Sequence, residues 1–124
     1  MSRGSPAFAR IHGEVMQVVA RIPKGRVATF ADIGAFLDVV PRQVAFLLAR
    51  RNDPAREAVP WHRVVSDDGA LGRPKFDAHG RSQAELLAAD GVVLGPDGRV
   101  PLTGRRRFVP TTRTTGVTPT PRSG

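Results

Sequence analysis

Apolar residues recur at helical spacing near the start of the chain. Phe8, Ile11, Val15, Val18, Val19 and Ile22 form one stripe. Ser5-Pro6 supplies a start, with serine as cap and proline at the first helical position. Pro23-Lys24-Gly25 stops the helix. Thr29-Phe30-Ala31-Asp32 resembles a capping box with aspartate in place of glutamate, and the short helix it opens turns Ile33, Phe36 and Leu37 inward. Pro41 begins a further helix over about 41–51. Val44, Leu47 and Leu48 are its buried stripe, while Arg42, Ala45, Phe46 and Ala49 face away. Two short helices separated by a tight break are the pattern of a helix-turn-helix.

The second half is less periodic. Residues 52–59 read as a polar loop, His62 to Val65 as a short strand, and Asp67-Asp68-Gly69 as a turn into a returning strand at Ala70-Leu71-Gly72. Residues 73–80 read as another polar loop. Ser82 caps a helix through Leu86, Leu87 and Ala89, ended by Gly91. Val92-Val93-Leu94 and Arg99-Val100 flank a Gly95-Pro96-Asp97-Gly98 turn, which suggests a terminal hairpin. The fold expected is mainly α with a small β wing, a winged helix-turn-helix-like domain over 5–104. Residues 105–124, rich in Thr, Pro, Arg and Gly, read as a basic disordered tail.

Charge adds a partner class to this outline. The chain of 124 residues carries +8, of which +5 lies in residues 105–124, where five arginines meet no acid. A basic balance favours a polyanion, because each neutralised phosphate releases counterions. The absence of cysteine excludes disulfides and thiol catalysis and suits a reducing compartment, so a cytoplasmic location is expected. No apolar stretch approaches bilayer length, and no apolar signal-peptide core follows Met1-Ser2-Arg3-Gly4-Ser5. His12 and His79 have no metal-ligand spacing and read as solvated, and neither metal nor cofactor is expected.

The chemistry-bearing run is Pro60-Trp61-His62-Arg63-Val64-Val65. It resembles the Pro-Cys-His-Arg-Val active-site motif of 6-O-alkylguanine-DNA alkyltransferases, with tryptophan at the position of the nucleophilic cysteine. Three further stretches occur in the order of that family: Ile22-Pro23-Lys24-Gly25-Arg26-Val27, Arg42-Gln43-Val44-Ala45 and Leu86-Leu87-Ala88-Ala89-Asp90-Gly91. The chain thus resembles the alkyltransferase-like proteins over about Phe8 to Leu102. The resemblance implies a monomer that binds 6-O-alkylguanine in duplex DNA through the minor groove, flips it, and flags it for nucleotide excision repair without removing the alkyl group.

That resemblance also assigns roles. Arg42 becomes the finger that fills the gap left by the flipped nucleotide, with Gln43, Ala45, Phe30 and Phe46 on the DNA face. Pro60 and Trp61 would line the lesion pocket, the indole packing against the base. Arg73 or Lys75 would reach the base from the loop above. His62, Arg63 and Asp90 occupy the places of a relay that has no thiol to activate, and so support the pocket. Three residues depart from the family. Phe30 replaces a tyrosine and loses its hydroxyl, Ala45 replaces a glycine, and Phe46 is bulky on the presumed DNA face.

Two other function classes fit parts of the sequence. A helix-turn-helix transcription regulator could use Arg42 and Gln43 to read base edges, but Ala45 and Ala49 bring no donors and the Trp-His-Arg run goes unexplained. An enzyme using His62 and Asp90 as an acid–base pair lacks a nucleophile, a metal cluster and a phosphate loop.

Overall fold

The computed structural model describes residues 6–111. The expected cap at Ser5 lies outside them. Helix α1, Pro6–Val19, buries Val15, Met16, Val18 and Val19, with Ile22 following beyond its end. Strand β1, Ala28–Thr29, runs directly into α2, Phe30–Leu37. The capping box is present in full. Thr29 Oγ1 accepts from Asp32 N at 3.0 Å, and Asp32 Oδ2 accepts from Thr29 N at 3.2 Å. Helix α3, Pro41–Leu48, is shorter than expected and buries Val44, Leu47 and Leu48. The α2–α3 turn is tight because a Cβ on Gly34 would collide with the carbonyl oxygen of Val39.

Residues 52–59 are not a loop. Asp53 caps helix α4, Pro54–Glu57, by accepting from Ala55 N, and Pro54 sits at the first position. His12 is not merely solvated, since its Nε2 lies 2.7 Å from Asp53 Oδ2 and ties α1 to this cap. His79 is exposed, as expected.

Trp61–Arg63 forms a 3-10 turn, and β2, Val64–Val65, pairs in parallel with β1 through Ala28 with Val64 and Thr29 with Val65. This two-stranded parallel sheet stands where the sequence suggested antiparallel hairpins. The returning strand at 70–72 reduces to one bond, Ser66 N to Ala70 O. The turn at 66–70 docks on Val100, whose N–H donates to Gly69 O at 2.9 Å. A side chain at Gly69 would strike the Val100 carbonyl. The terminal hairpin is likewise only a turn, closed by Gly95 N to Arg99 O at 2.8 Å. Helix α5, Gln83–Ala89, opens with a capping box of Ser82 and Glu85.

The folded unit does not end at 104. Residues 105–111 are a strap on the body: Val27 N donates to Arg106 O, Phe108 N donates to Val27 O, and Phe108 packs on the core. Arg107 forks onto Asp32 with bonds of 2.6 and 3.0 Å. Its guanidinium neutralises a carboxylate, and Val27 completes a short ladder, so this basic segment orders instead of fraying. The rest of the expected tail, 112–124, lies outside the described residues.

Two polar nodes hold the motif segment. Arg56 is fully buried beneath it. Its Nε donates to Leu48 O at 2.9 Å, and its Nη1 donates to Phe76 O at 2.9 Å and Glu57 Oε2 at 2.6 Å. Its guanidinium carbon lies 3.7 Å from the Trp61 ring centroid. At the second node, Asp90 receives Arg63 Nε at 2.7 Å and Nη2 at 3.1 Å, with His62 Nε2 2.9 Å away. Arg63 also donates to Ile22 O, and Gln83 donates to the carbonyls of His62 and Val64.

Burial alone would raise the Asp90 carboxyl, but hydrogen bonds from Arg63 and His62 outweigh it and hold the group below its ordinary value. Burial lowers the His62 imidazole, against the opposing pull of Asp90. Both groups therefore release protons more readily in the folded chain than in the unfolded one. The stability they supply is complete above the unfolded values and drains away on acidification, first below about pH 6.5 through His62 and then below about pH 4 through Asp90.

Two outcomes follow. Arg56→Ala should cost about 2–4 kcal/mol in urea unfolding, because it opens a hole beside the indole and strands the buried Leu48 carbonyl and the part-buried Phe76 carbonyl; a change within about 0.5 kcal/mol would mean the node is idle. The melting temperature should fall between pH 7.5 and 5.5, and His62→Gln should flatten that fall; a profile identical in the variant would remove His62 from the account.

Candidate nucleic-acid interface

The α2–α3 pair presents one continuous grooved face. Proline starts α3 at Pro41, and the inward stripe fixes the helix roll, so Arg42 at its second position is exposed. Its side chain has no hydrogen bond or ion pair among the described residues. Two adjoining hollows meet at Phe30, Arg42, Ala45 and Ser66. The larger, about 570 Å³, continues under Phe46, Ala49 and the loop from Leu71 to Lys75. The smaller, about 440 Å³, continues to the Asp67-Asp68 turn. Both fall within the range of small-ligand sites, roughly 300–1,000 Å³.

The loop cations differ in freedom. Lys75 Nζ donates to Leu71 O at 2.6 Å and to Arg73 O at 3.2 Å, so it braces its own loop. Burial, with the charge of Arg56 behind it, holds its pKa below the ordinary lysine value. Arg73 is exposed, and its side chain has no partner among the described residues. Phe46 is 58% exposed, and Arg50 lies 5.9 Å from its ring centroid. Gln43 is half-buried and lines neither hollow.

Trp61 departs from expectation. The indole is 3% exposed and belongs to the hydrophobic core. With Pro60, His62 and His79 it borders a separate cavity of about 270 Å³. Neither Pro60 nor Trp61 lines the hollows beside Arg42. The reason is local: the buried Arg56 covers the ring, and the 3-10 turn directs the indole down into the core. Arg56, stacked on the indole, acts on Lys75 at the large hollow only through its charge. His62, Arg63 and Asp90 form one cluster, as the motif order suggested, but its bonds close on each other and on backbone.

Ser66, Asp67 and Asp68 were absent from the sequence-derived site. Asp67 Oδ1 accepts from Ala31 N at 3.3 Å, and Asp68 pairs with Arg99 at 3.4 Å. The only signal for them was the Asp-Asp-Gly turn. Its placement beside Arg42 follows from the β1–β2 pairing, which no local pattern announces. No group of three His, Cys, Asp or Glu able to hold a metal occurs among the described residues, and no helix there is long and apolar enough to cross a membrane.

The family model of the 6-O-methylguanine DNA methyltransferase DNA-binding domain matches residues 10–92. The DNA base-flipping protein of Escherichia coli K12 is 36% identical over 90 residues, covering 71% of this chain and 67% of that protein. Alkyltransferase-like protein 1 of Schizosaccharomyces pombe is 28% identical over 83 residues, covering 65% and 75%. The crystal structure of S. pombe Atl1 in complex with damaged DNA containing O6-carboxymethylguanine superposes with a TM-score of 0.61 at 25% identity, over 76% of this chain and 91% of that one. The chain belongs to the 6-O-methylguanine DNA methyltransferase DNA-binding domain family.

Proposed function

We propose that this protein recognises 6-O-alkylguanine in duplex DNA, flips the damaged nucleotide into the hollow under the Leu71–Lys75 loop, and leaves the alkyl group in place. One observation carries the reading: Arg42, exposed and without a side-chain partner among the described residues, stands where two hollows meet, and the larger is walled by Phe30, Phe46, Leu71 and Pro74. Apolar walls suit an alkylated base, and a planar guanidinium suits the vacated stack. Alkylation weakens pairing, so extrusion, at a few kcal/mol for an intact pair, becomes cheaper at the lesion. Arg73, whose side chain has no partner among the described residues, contacts the extrahelical base, while Lys75 holds the loop's shape. The names of the E. coli base-flipping protein and of the S. pombe complex support this use of the face.

The chemistry present supports non-catalytic binding. The sequence has no cysteine, Trp61 is capped by Arg56, and the side-chain bonds of the His62–Asp90 pair among the described residues run to each other and to Arg63 rather than to a nucleophile. The protein then acts as a marker, a monomer in a reducing cytoplasm whose bent complex recruits nucleotide excision repair. A transcription-regulator reading gains little, because Gln43 is half-buried and Ala45 and Ala49 carry no donors.

Arg42→Ala should weaken binding to a 6-O-methylguanine duplex at least tenfold, while changing affinity for the intact duplex less than threefold, as read by fluorescence anisotropy. Equal losses on both duplexes would reduce Arg42 to a phosphate contact.

A further inference from the structure

We propose that the cavity beneath Arg26, Arg105 and Arg106 is a second DNA contact, a site for backbone phosphate on a duplex arm beside the lesion. The inference rests on the DNA-binding reading above. The cavity measures about 450 Å³ and lies between the β1 approach and the C-terminal strap. Two of its cations, Arg26 and Arg106, are held by carbonyl oxygens, with no carboxylate paired to them among the described residues. Arg26 Nε donates to Arg105 O at 2.7 Å and its Nη2 to Arg107 O at 2.6 Å. Arg106 Nη1 donates to Gly25 O at 2.6 Å. Arg105 is exposed, with no side-chain partner among the described residues. Carbonyl acceptors fix the direction of a guanidinium and leave its whole charge unspent. Arg107, the next residue on the strap, is different, because it is paired with Asp32.

Two carbonyl-held guanidiniums, Arg26 and Arg106, with the exposed Arg105 beside them, gather positive charge around one hollow that an entering anion would offset. Tetrahedral phosphate oxygens match the guanidinium fork, and the Thr103 hydroxyl in the wall supplies a neutral donor. Geometry ties this hollow to the same duplex as Arg42. Arg26 precedes Phe30 by four residues, which places it within about 14 Å of that groove residue along the chain. Arg107 holds Asp32 in the first turn of α2, and the adjacent Ala31 N–H is bonded to Asp67 in the groove wall. A span of about 14 Å covers roughly four base-pair steps. The phosphates reached therefore lie no more than about four pairs along the duplex from those at the groove residue.

The test uses duplexes with 6-O-methylguanine at a fixed position and arms shortened in turn on each side. The wild-type protein should lose at least fivefold in affinity when one particular arm drops below about four pairs, and little when the other does. Arg105→Glu and Arg105→Gln should abolish that step and lower the magnitude of the salt slope by about one, while keeping the preference for damaged over intact duplex. These substitutions break no side-chain bond, and an unchanged melting temperature verifies the fold. The double variant Arg105→Gln/Arg106→Gln should go further. Unchanged arm dependence and salt slope in Arg105→Glu would overturn the proposal. Inorganic phosphate alone, titrated against the arginine Nε resonances, separates the sources: saturation at Arg26 and Arg106 without any arm dependence would assign the hollow to a free anion and overturn the DNA contact, leaving the lesion reading standing. Failure of the wild-type protein to bind any duplex would overturn both.

Discussion

The guanidinium of Arg56 lies 3.7 Å from the centroid of the Trp61 indole, out of reach of water, and four segments of the chain converge on it. It binds the end of α3 at Leu48, its own helix at Glu57, and the loop that roofs the hollow at Phe76. A buried cation costs several kcal/mol unless it is surrounded by acceptors. Here two carbonyls, one carboxylate and one π face share that task, leaving only Nη2 without a partner among the described residues. The node fixes the floor beneath the groove, and Lys75, which feels its charge, fixes the loop above.

This arrangement separates rigid support from free charge. The polar groups nearest the motif segment are consumed by structure: Arg56 by carbonyls and indole, Arg63 and His62 by Asp90, and Gln83 by the backbone between them. The cations at the surface of the groove, Arg42 and Arg73, have no side-chain partner among the described residues. A site that held reactive chemistry would show the reverse, with a nucleophile and its base facing the hollow. Tryptophan in the motif therefore contributes as packing and as the seat of a cation. In the proposed function, recognition falls to residues on the rim, and the walls of the hollow supply apolar surface.

Much of this was legible in the chain. The α1 stripe, the Thr29–Asp32 capping box, the two faces of α3 and the Ser82 cap of α5 are local, and local patterns survive in the structure. Helix α4 was also signalled, by Asp53 followed by Pro54, but the four residues Pro54 to Glu57 are too few to carry a periodicity that supports the cap. The β1–β2 pairing was not legible, because two residues make each strand and the partners lie 36 positions apart. The strap failed for a related reason, since its order comes from Val27 and Asp32 and not from its own composition. Motif order placed Trp61 in the correct segment but could not give its direction, which the buried Arg56 decides.

Lesion preference tests the central claim most directly. Affinity should be measured for two duplexes identical in sequence, one with guanine and one with 6-O-methylguanine at the same position, at one fixed salt concentration. The account predicts at least tenfold tighter binding to the methylated duplex. Equal affinities would contradict it and leave a basic fold that holds DNA without reading damage.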